Sequence, residues 1–197
     1  MKTIIILYLL LICSITQSQS DNEEIKKVFT SYRNLIEQKK YDEAFDYYHE
    51  GFLKYVPKED LKKQFTNMNS SDKFEYKVTG SKLVFISSIL TKDTMKYAYL
   101  KYGALYLYTL NKNLDQGEVE KIKTLFENQY GEDYSYHEQK REISFYKEQE
   151  LIALNDDNWK FIPNKKKRVP YMSNWVPGEI FNMLMVIKDG ENKLESD

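Results

Sequence analysis

Residues 95–110 have the sequence M-K-Y-A-Y-L-K-Y-G-A-L-Y-L-Y-T-L, which is rich in aromatic residues and contains no proline. This composition favours one long β-strand. A bulge at Gly103 would shift the register of its side chains. Since both faces also carry apolar residues, we expect both to be at least partly covered. Without a bulge, strict alternation puts Tyr97 and Tyr99 on one face and Tyr102, Tyr106 and Tyr108 on the other.

The segments around this strand predict an antiparallel sheet. Strand-like runs precede it at 74–80 and 83–90, and two more follow at roughly 134–154 and 158–163. The turns T-K-D-T and N-D-D-N, at 91–94 and 155–158, are too short for a crossover between parallel strands.

In the sequence, helical patterns occur before, between and after these strands. The first has its apolar residues at helical spacing from Ile25 to Ile36, and two shorter helical segments follow before residue 70. Asp115 and Glu118 open a further helix that Gly131 closes, and V-P-G-E at 176–179 opens a C-terminal helix. Helices followed by a run of strands indicate an α+β domain, not alternating βαβ units.

The first 20 residues have the layout of a secretory signal peptide. Lys2 precedes an apolar run from Ile4 to Ile12, which is too short to span a bilayer, and small polar residues follow. Cleavage after Ser18 or Ser20 fits, and we favour Ser20. Lipoprotein anchoring at Cys13 would require a small residue before it, where Ile12 stands. We predict export to the periplasm or the outside, a single domain over 21–187 and a flexible tail over 188–197.

Composition excludes several classes of function. Cys13 is the sole cysteine and would leave with the leader, so we expect neither a disulfide nor a thiolate. The two histidines are far apart in the sequence, which favours neither a metal site nor a cofactor. A net charge near zero does not favour a nucleic-acid partner, and we interpret K-K-K-R at 165–168 as a solvated loop. The mature chain has no long apolar segment, so we expect no transmembrane segment in it.

Four features together resemble small secreted bacterial members of the nuclear transport factor 2-like superfamily. They are F-L-K-Y-V-P-K-E-D-L at 52–61, the tyrosine-rich central strands, D-N-W-K-F-I at 157–162 and V-P-G-E-I-F at 176–181. The resemblance implies a cone-shaped α+β fold, in which a strongly curved, mostly antiparallel sheet wraps around N-terminal helices and often encloses a pocket. The helix at 115–130 and the C-terminal helix depart from the simplest members of that superfamily.

The resemblance leaves three functional hypotheses open. The first is a non-catalytic domain that binds a small apolar or aromatic molecule, or a protein partner, through the pocket or the sheet face. The second is a small lyase or isomerase that uses a carboxylate or histidine with a tyrosine, for which His49 and Asp46 are the candidates. The third is a structural or self-associating envelope protein. The apolar C-terminal helix either docks on its own domain or forms a homodimer or partner contact. For the first hypothesis the candidate ligand-binding residues are Tyr97, Tyr99, Tyr102, Tyr106 and Tyr108.

Overall fold

A computed structural model describes the backbone of residues 2–69, 71–165 and 169–194, and the side chains of 19–67, 71–131, 133–165 and 171–190. The domain is α+β, as predicted. The helices are α1 (Lys2–Glu37), α2 (Tyr41–Phe45), α3 (Glu50–Tyr55), α4 (Lys58–Asn69), α5 (Gln116–Tyr130), α6 (Val169–Met172) and α7 (Gly178–Leu194). The strands are β1 (Phe74–Ile86), β2 (Leu90–Lys92), β3 (Met95–Leu110), β4 (Tyr134–His137), β5 (Glu142–Asn155) and β6 (Trp159–Pro163).

In the described part of the chain, these six strands form one open, antiparallel sheet around β3. β1 and β2 pair with one edge of β3, and β5 pairs with the other edge along its whole length, from Lys96 opposite Asn155 to Thr109 opposite Glu142. The prediction of antiparallel pairing is therefore confirmed. The two runs before β2 form one continuous strand, whereas the predicted strand over 134–154 is divided into β4 and β5 by a short 3-10 turn.

The outer edge of β5 is only partly paired. β4 pairs with residues 142–145 and β6 with residues 151–155. Residues 146–149 therefore have no strand partner on that edge among the residues that the structure describes. Beyond this stretch, the Asn164 amide donates to the Glu150 carbonyl oxygen at 3.0 Å. We call residues 146–149 the edge gap.

The long N-terminal helix covers one face of the sheet. The buried residues Ile25, Phe29, Tyr32 and Ile36 recur at helical spacing along α1 and confirm the predicted apolar stripe. The Phe29 ring lies 5.2 Å from the ring of Tyr102, on the face that also carries Leu100 and Tyr106. This face, covered by α1, is called the inner face below.

The opposite, outer face is covered by the C-terminal helix near the start of β3. There α7 packs against β3, and Lys188 pairs with Glu150 at 2.7 Å. α7 continues to Leu194, so the predicted tail from residue 188 begins as helix, and residues 195–197 lie outside the described ranges. Within those ranges, no helix combines the length and the apolar character needed to cross a membrane.

The predicted helix starts are visible in the hydrogen bonds. Asp115 accepts from the Glu118 amide at 2.8 Å while the Glu118 carboxylate accepts from the Asp115 amide, which completes a capping box. Gly131 follows α5 with φ +57°, a conformation that favours glycine. Pro57 and Pro177 precede α4 and α7, and each carbonyl oxygen accepts a bond from the first turn of its helix.

Candidate functional site

A cavity of about 850 Å³ lies between the inner face of the sheet and the helices above it. Its floor comes from β1, β3 and β5, its roof from α1 and α4, and Tyr130 of α5 closes one end. The side chains that form the floor and roof are Tyr32, Arg33, Ile36, Tyr48, Leu61, Phe65, Tyr76, Val78, Tyr102, Tyr106, Tyr108, Phe145 and Gln149.

Cross-strand pairing produces the aromatic floor of this cavity. Tyr106 lies directly opposite Phe145, and their rings are 5.2 Å apart with planes only 5° from parallel. Tyr76 lies opposite Tyr108 on the other side, with a ring separation of 5.0 Å. Directly opposed residues in antiparallel strands bring their Cβ atoms close, so aromatic rings at such positions pack into a continuous apolar surface.

Tyrosine hydroxyls supply hydrogen-bonding groups inside this apolar surface. The hydroxyls of Tyr32 and Tyr48 are 2.8 Å apart, and the Gln149 amide donates to the Tyr106 hydroxyl. Burial raises the pKa of Tyr106 to about 12, against the opposing effect of Arg33, and burial also raises the pKa values of Tyr48 and Tyr102. These hydroxyls therefore remain protonated at neutral pH and can donate hydrogen bonds.

Among the described residues, Arg33 is the one arginine that lines the cavity, and only 5 % of it is exposed. Its Nε donates to the Ser81 hydroxyl at 3.0 Å, and its guanidinium carbon lies 5.0 Å from the ring centre of Tyr102 and 5.6 Å from that of Tyr32. Its Nη2 is buried without a hydrogen-bond acceptor among the described residues. No described carboxylate lies within 4 Å of the guanidinium, so no residue in the described part of the chain acts as its counter-ion.

Exposed lining residues indicate an opening of the cavity at the edge gap, which is called the mouth below. Lys147 and Gln149 of β5 line it together with Asn164, Lys188 and Glu150. Glu150 accepts from both Lys188 and Asn164 there, at 2.7 Å each. The rim thus carries charges of both signs, while the interior, as far as the described residues show it, is aromatic with a single arginine.

The tyrosines of β3 are divided between two environments. β3 pairs with β5 without a register shift, so no bulge at Gly103 occurs and alternation is strict. Tyr102, Tyr106 and Tyr108 line the cavity, whereas Tyr97 and Tyr99 lie on the outer face and are buried there. Tyr97 and Tyr99 are thus separated from the cavity by the sheet itself.

The candidate catalytic pair lies elsewhere. His49 is the N-cap of α3, where its Nδ1 accepts from the Gly51 amide at 3.2 Å. Asp46 is exposed and pairs with Lys58. Neither side chain lines the cavity. Among the described residues, no three histidine, cysteine or acidic side chains come together as a metal site would require. In the K-K-K-R run, residues 166–168 lie outside the described ranges.

Arg33 is the residue that the sequence patterns did not single out, although a signal was present. It follows Phe29 by four residues and precedes Ile36 by three, so helical spacing places it on the buried face of α1. A charged residue at a core position of an amphipathic helix is rarely tolerated without a partner. The position of Arg33 in the helical pattern therefore predicts that its charged side chain is buried inside the domain.

Comparison of the chain with protein-family models, with curated proteins and with solved structures gives no match in any of the three. The cavity geometry therefore carries the functional argument.

Proposed function

We propose that this protein is an exported, non-catalytic binding protein whose aromatic cavity holds a small molecule with an apolar body. The observation that carries the proposal is a cavity of about 850 Å³ walled by aromatic rings, with a few convergent polar groups inside. Ligand sites in proteins typically occupy about 300–1,000 Å³ and have this mixture of lining groups. A ligand that buries about 200 Å² of apolar surface there would gain on the order of 5 kcal/mol before the cost of association.

The placement of the carboxylates supports binding over the lyase or isomerase alternative. Such chemistry needs a carboxylate or histidine within hydrogen-bond reach of the reacting atoms, beside a donor such as tyrosine. Among the described residues, the carboxylates that line the cavity are Glu148 and Glu150, which lie in and beside the edge gap. Glu150 is held by Lys188 at 2.7 Å, and Glu148 lies 3.9 Å from Lys101.

The proposed fold family is the nuclear transport factor 2-like superfamily, with the sheet bent into a cone around α1. Its support is the order of the elements, the position of α1 over the inner face and the two register shifts in β1, between Thr79 and Lys82 and between Leu83 and Phe85. Bulges of this kind bend a strand and increase its twist.

Export with cleavage after Ser20 is supported by the burial pattern of α1. Gln19 and Ser20 are exposed, and Asp21 is the first buried residue among the described side chains of the helix. Lys96 Nζ donates to both carboxylate oxygens of Asp21, at 2.8 and 2.9 Å. Cleavage there would leave every described core residue in the mature protein. N-terminal sequencing of the secreted protein should begin at Asp21, and a lipid-modified Cys13 would contradict this part of the proposal.

The binding proposal is tested with the neutral fluorescent probe N-phenyl-1-naphthylamine and the protein expressed from its full-length gene. We expect saturable binding at one site. Val78 lines the cavity, so Val78→Trp should fill part of it and weaken binding at least tenfold. Lys77→Trp introduces the same indole at the neighbouring, exposed position on the other face, and should leave binding unchanged.

Thermal unfolding of both variants shows whether each is folded. Equal probe affinity in a folded Val78→Trp variant would exclude the cavity as the binding site. A homodimer that binds no probe would favour the self-association hypothesis instead.

A further inference from the structure

We infer that the ligand of this cavity is an organic monoanion, a carboxylic acid whose carboxylate binds Arg33 and whose body lies on the aromatic floor. The inference rests on the proposed binding function and specifies its ligand class. Its starting point is the buried guanidinium of Arg33, which has no carboxylate within 4 Å among the described residues. Arginine stays charged at every physiological pH, so burial cannot neutralise it.

The contacts that Arg33 does make are with uncharged groups. Ser81 accepts one hydrogen bond from Nε, and the rings of Tyr32 and Tyr102 lie near the guanidinium. Aromatic rings attract a cation, but they supply neither a full negative charge nor an acceptor in the guanidinium plane. Nη2 is left as a buried donor without an acceptor. Buried donors in native proteins are normally satisfied, so an unpaired charged one that lines a cavity indicates a bound acceptor.

The groups around Arg33 are also suited to an anion. Tyr32, Tyr48 and Tyr102 all line the cavity, and the rings of Tyr32 and Tyr102 lie near the guanidinium. Burial raises the pKa values of Tyr48 and Tyr102, so their hydroxyls stay protonated at neutral pH. A carboxylate has two oxygens that can accept from a guanidinium and from phenol hydroxyls together.

The one buried cation among the described lining residues favours a ligand with one negative charge. Among the described residues that line the cavity, Arg33 is the only buried cation, since Lys147 and Lys165 are exposed and Lys188 is half-buried. Lys188 is already paired with Glu150. One guanidinium balances one negative charge, which fits a carboxylate better than a phosphate monoester with nearly two charges at neutral pH. The aromatic floor then receives an alkyl or aryl body.

The test compares cis-parinaric acid with its methyl ester, two fluorescent probes that share one apolar body and differ in charge. We expect the wild-type protein to bind the acid about 10- to 100-fold more tightly than the ester, as a charge-assisted hydrogen bond implies. Arg33→Met should abolish that preference while ester binding remains. Lys77→Met removes an exposed cation on the other face of the sheet, outside the cavity lining, and it should preserve the preference.

Each result has a distinct meaning. If neither probe binds, the proposed function fails together with this inference. If the ester binds as tightly as the acid, or if Arg33→Met still prefers the acid, the binding function stands and the role of Arg33 is overturned. Competition by dodecyl phosphate that is stronger than competition by dodecanoate would overturn the carboxylate class. Should Arg33→Met not fold, Arg33→Gln provides the same comparison, with thermal unfolding as the check.

Discussion

Replacement of Arg33 by methionine should make the ligand-free protein more stable, by about 1–2 kcal/mol. The change removes a buried cation without a counter-ion, which in proteins costs several kcal/mol, and adds about 1.5–3 kcal/mol from a buried apolar side chain. It sacrifices the bond to Ser81, worth about 1.5–3 kcal/mol for a charged donor, and ring contacts worth up to about 2 kcal/mol. These lost contacts offset most of the gain, which leaves the stated range.

Urea unfolding of the ligand-free protein measures this difference, and a stabilisation of that size should also raise the melting temperature by about 2–4 °C per kcal/mol. Arg141→Met is the matched control. The Arg141 guanidinium donates to the carbonyl oxygens of Asn111 and Leu114, at 3.1 and 2.9 Å, so its loss should destabilise the protein by about 1–3 kcal/mol. Arg141 has φ +51°, and methionine at that position bears the same backbone strain as arginine.

The two arginines should therefore respond to one substitution with opposite signs. A loss of more than about 2 kcal/mol in Arg33→Met would mean that Arg33 is a structural tie to Ser81 whose charge is already compensated. Arg33 would then need no bound anion.

Three other perturbations have definite expected outcomes. Gly51→Ala should cost about 1–3 kcal/mol and shift the tryptophan emission, because a Cβ there would lie 2.6 Å from the half-buried ring of Trp175. Stability should fall as the pH drops below about 6.5, because burial lowers the pKa of His49 in the folded state and its protonated Nδ1 cannot accept from Gly51. His49→Asn keeps a capping acceptor and should remove that contribution from the pH profile of urea unfolding. Asp115→Ala should cost about 1 kcal/mol in urea unfolding through loss of the α5 capping box, whereas an exposed Glu127→Ala change should cost little.

Local chemistry made much of the fold predictable. The Asp115 and Glu118 capping box, Gly131 after α5 and the proline before α7 each act within a few residues, so their effects can be recognised in the sequence. The face of each tyrosine in β3 also follows from alternation, since no bulge interrupts its pairing with β5. These local features predict where the helices begin and end, and which face of the strand each side chain occupies.

The site depends on contacts between distant residues, and these were much harder to predict. Arg33 and Ser81 are 48 residues apart, and nothing in the sequence near either one indicates that they meet. The same holds for Glu150 and Lys188, which come together only when α7 lies on the outer face. His49, which the sequence offered as a catalytic candidate, instead opens α3 as its N-cap. The turn between α2 and α3 leaves it outside the cavity lining.

The edge gap has a consequence for solubility. A stretch of strand with free backbone groups is a template on which another chain can add a strand, and aggregation often begins at such an edge. Lys147 and Glu148 lie within the gap, and both are exposed. Charged side chains at an unpaired edge oppose the approach of a second strand. This edge of β5 can therefore remain unpaired at the entrance to the cavity, while its charged side chains oppose strand addition by neighbouring molecules.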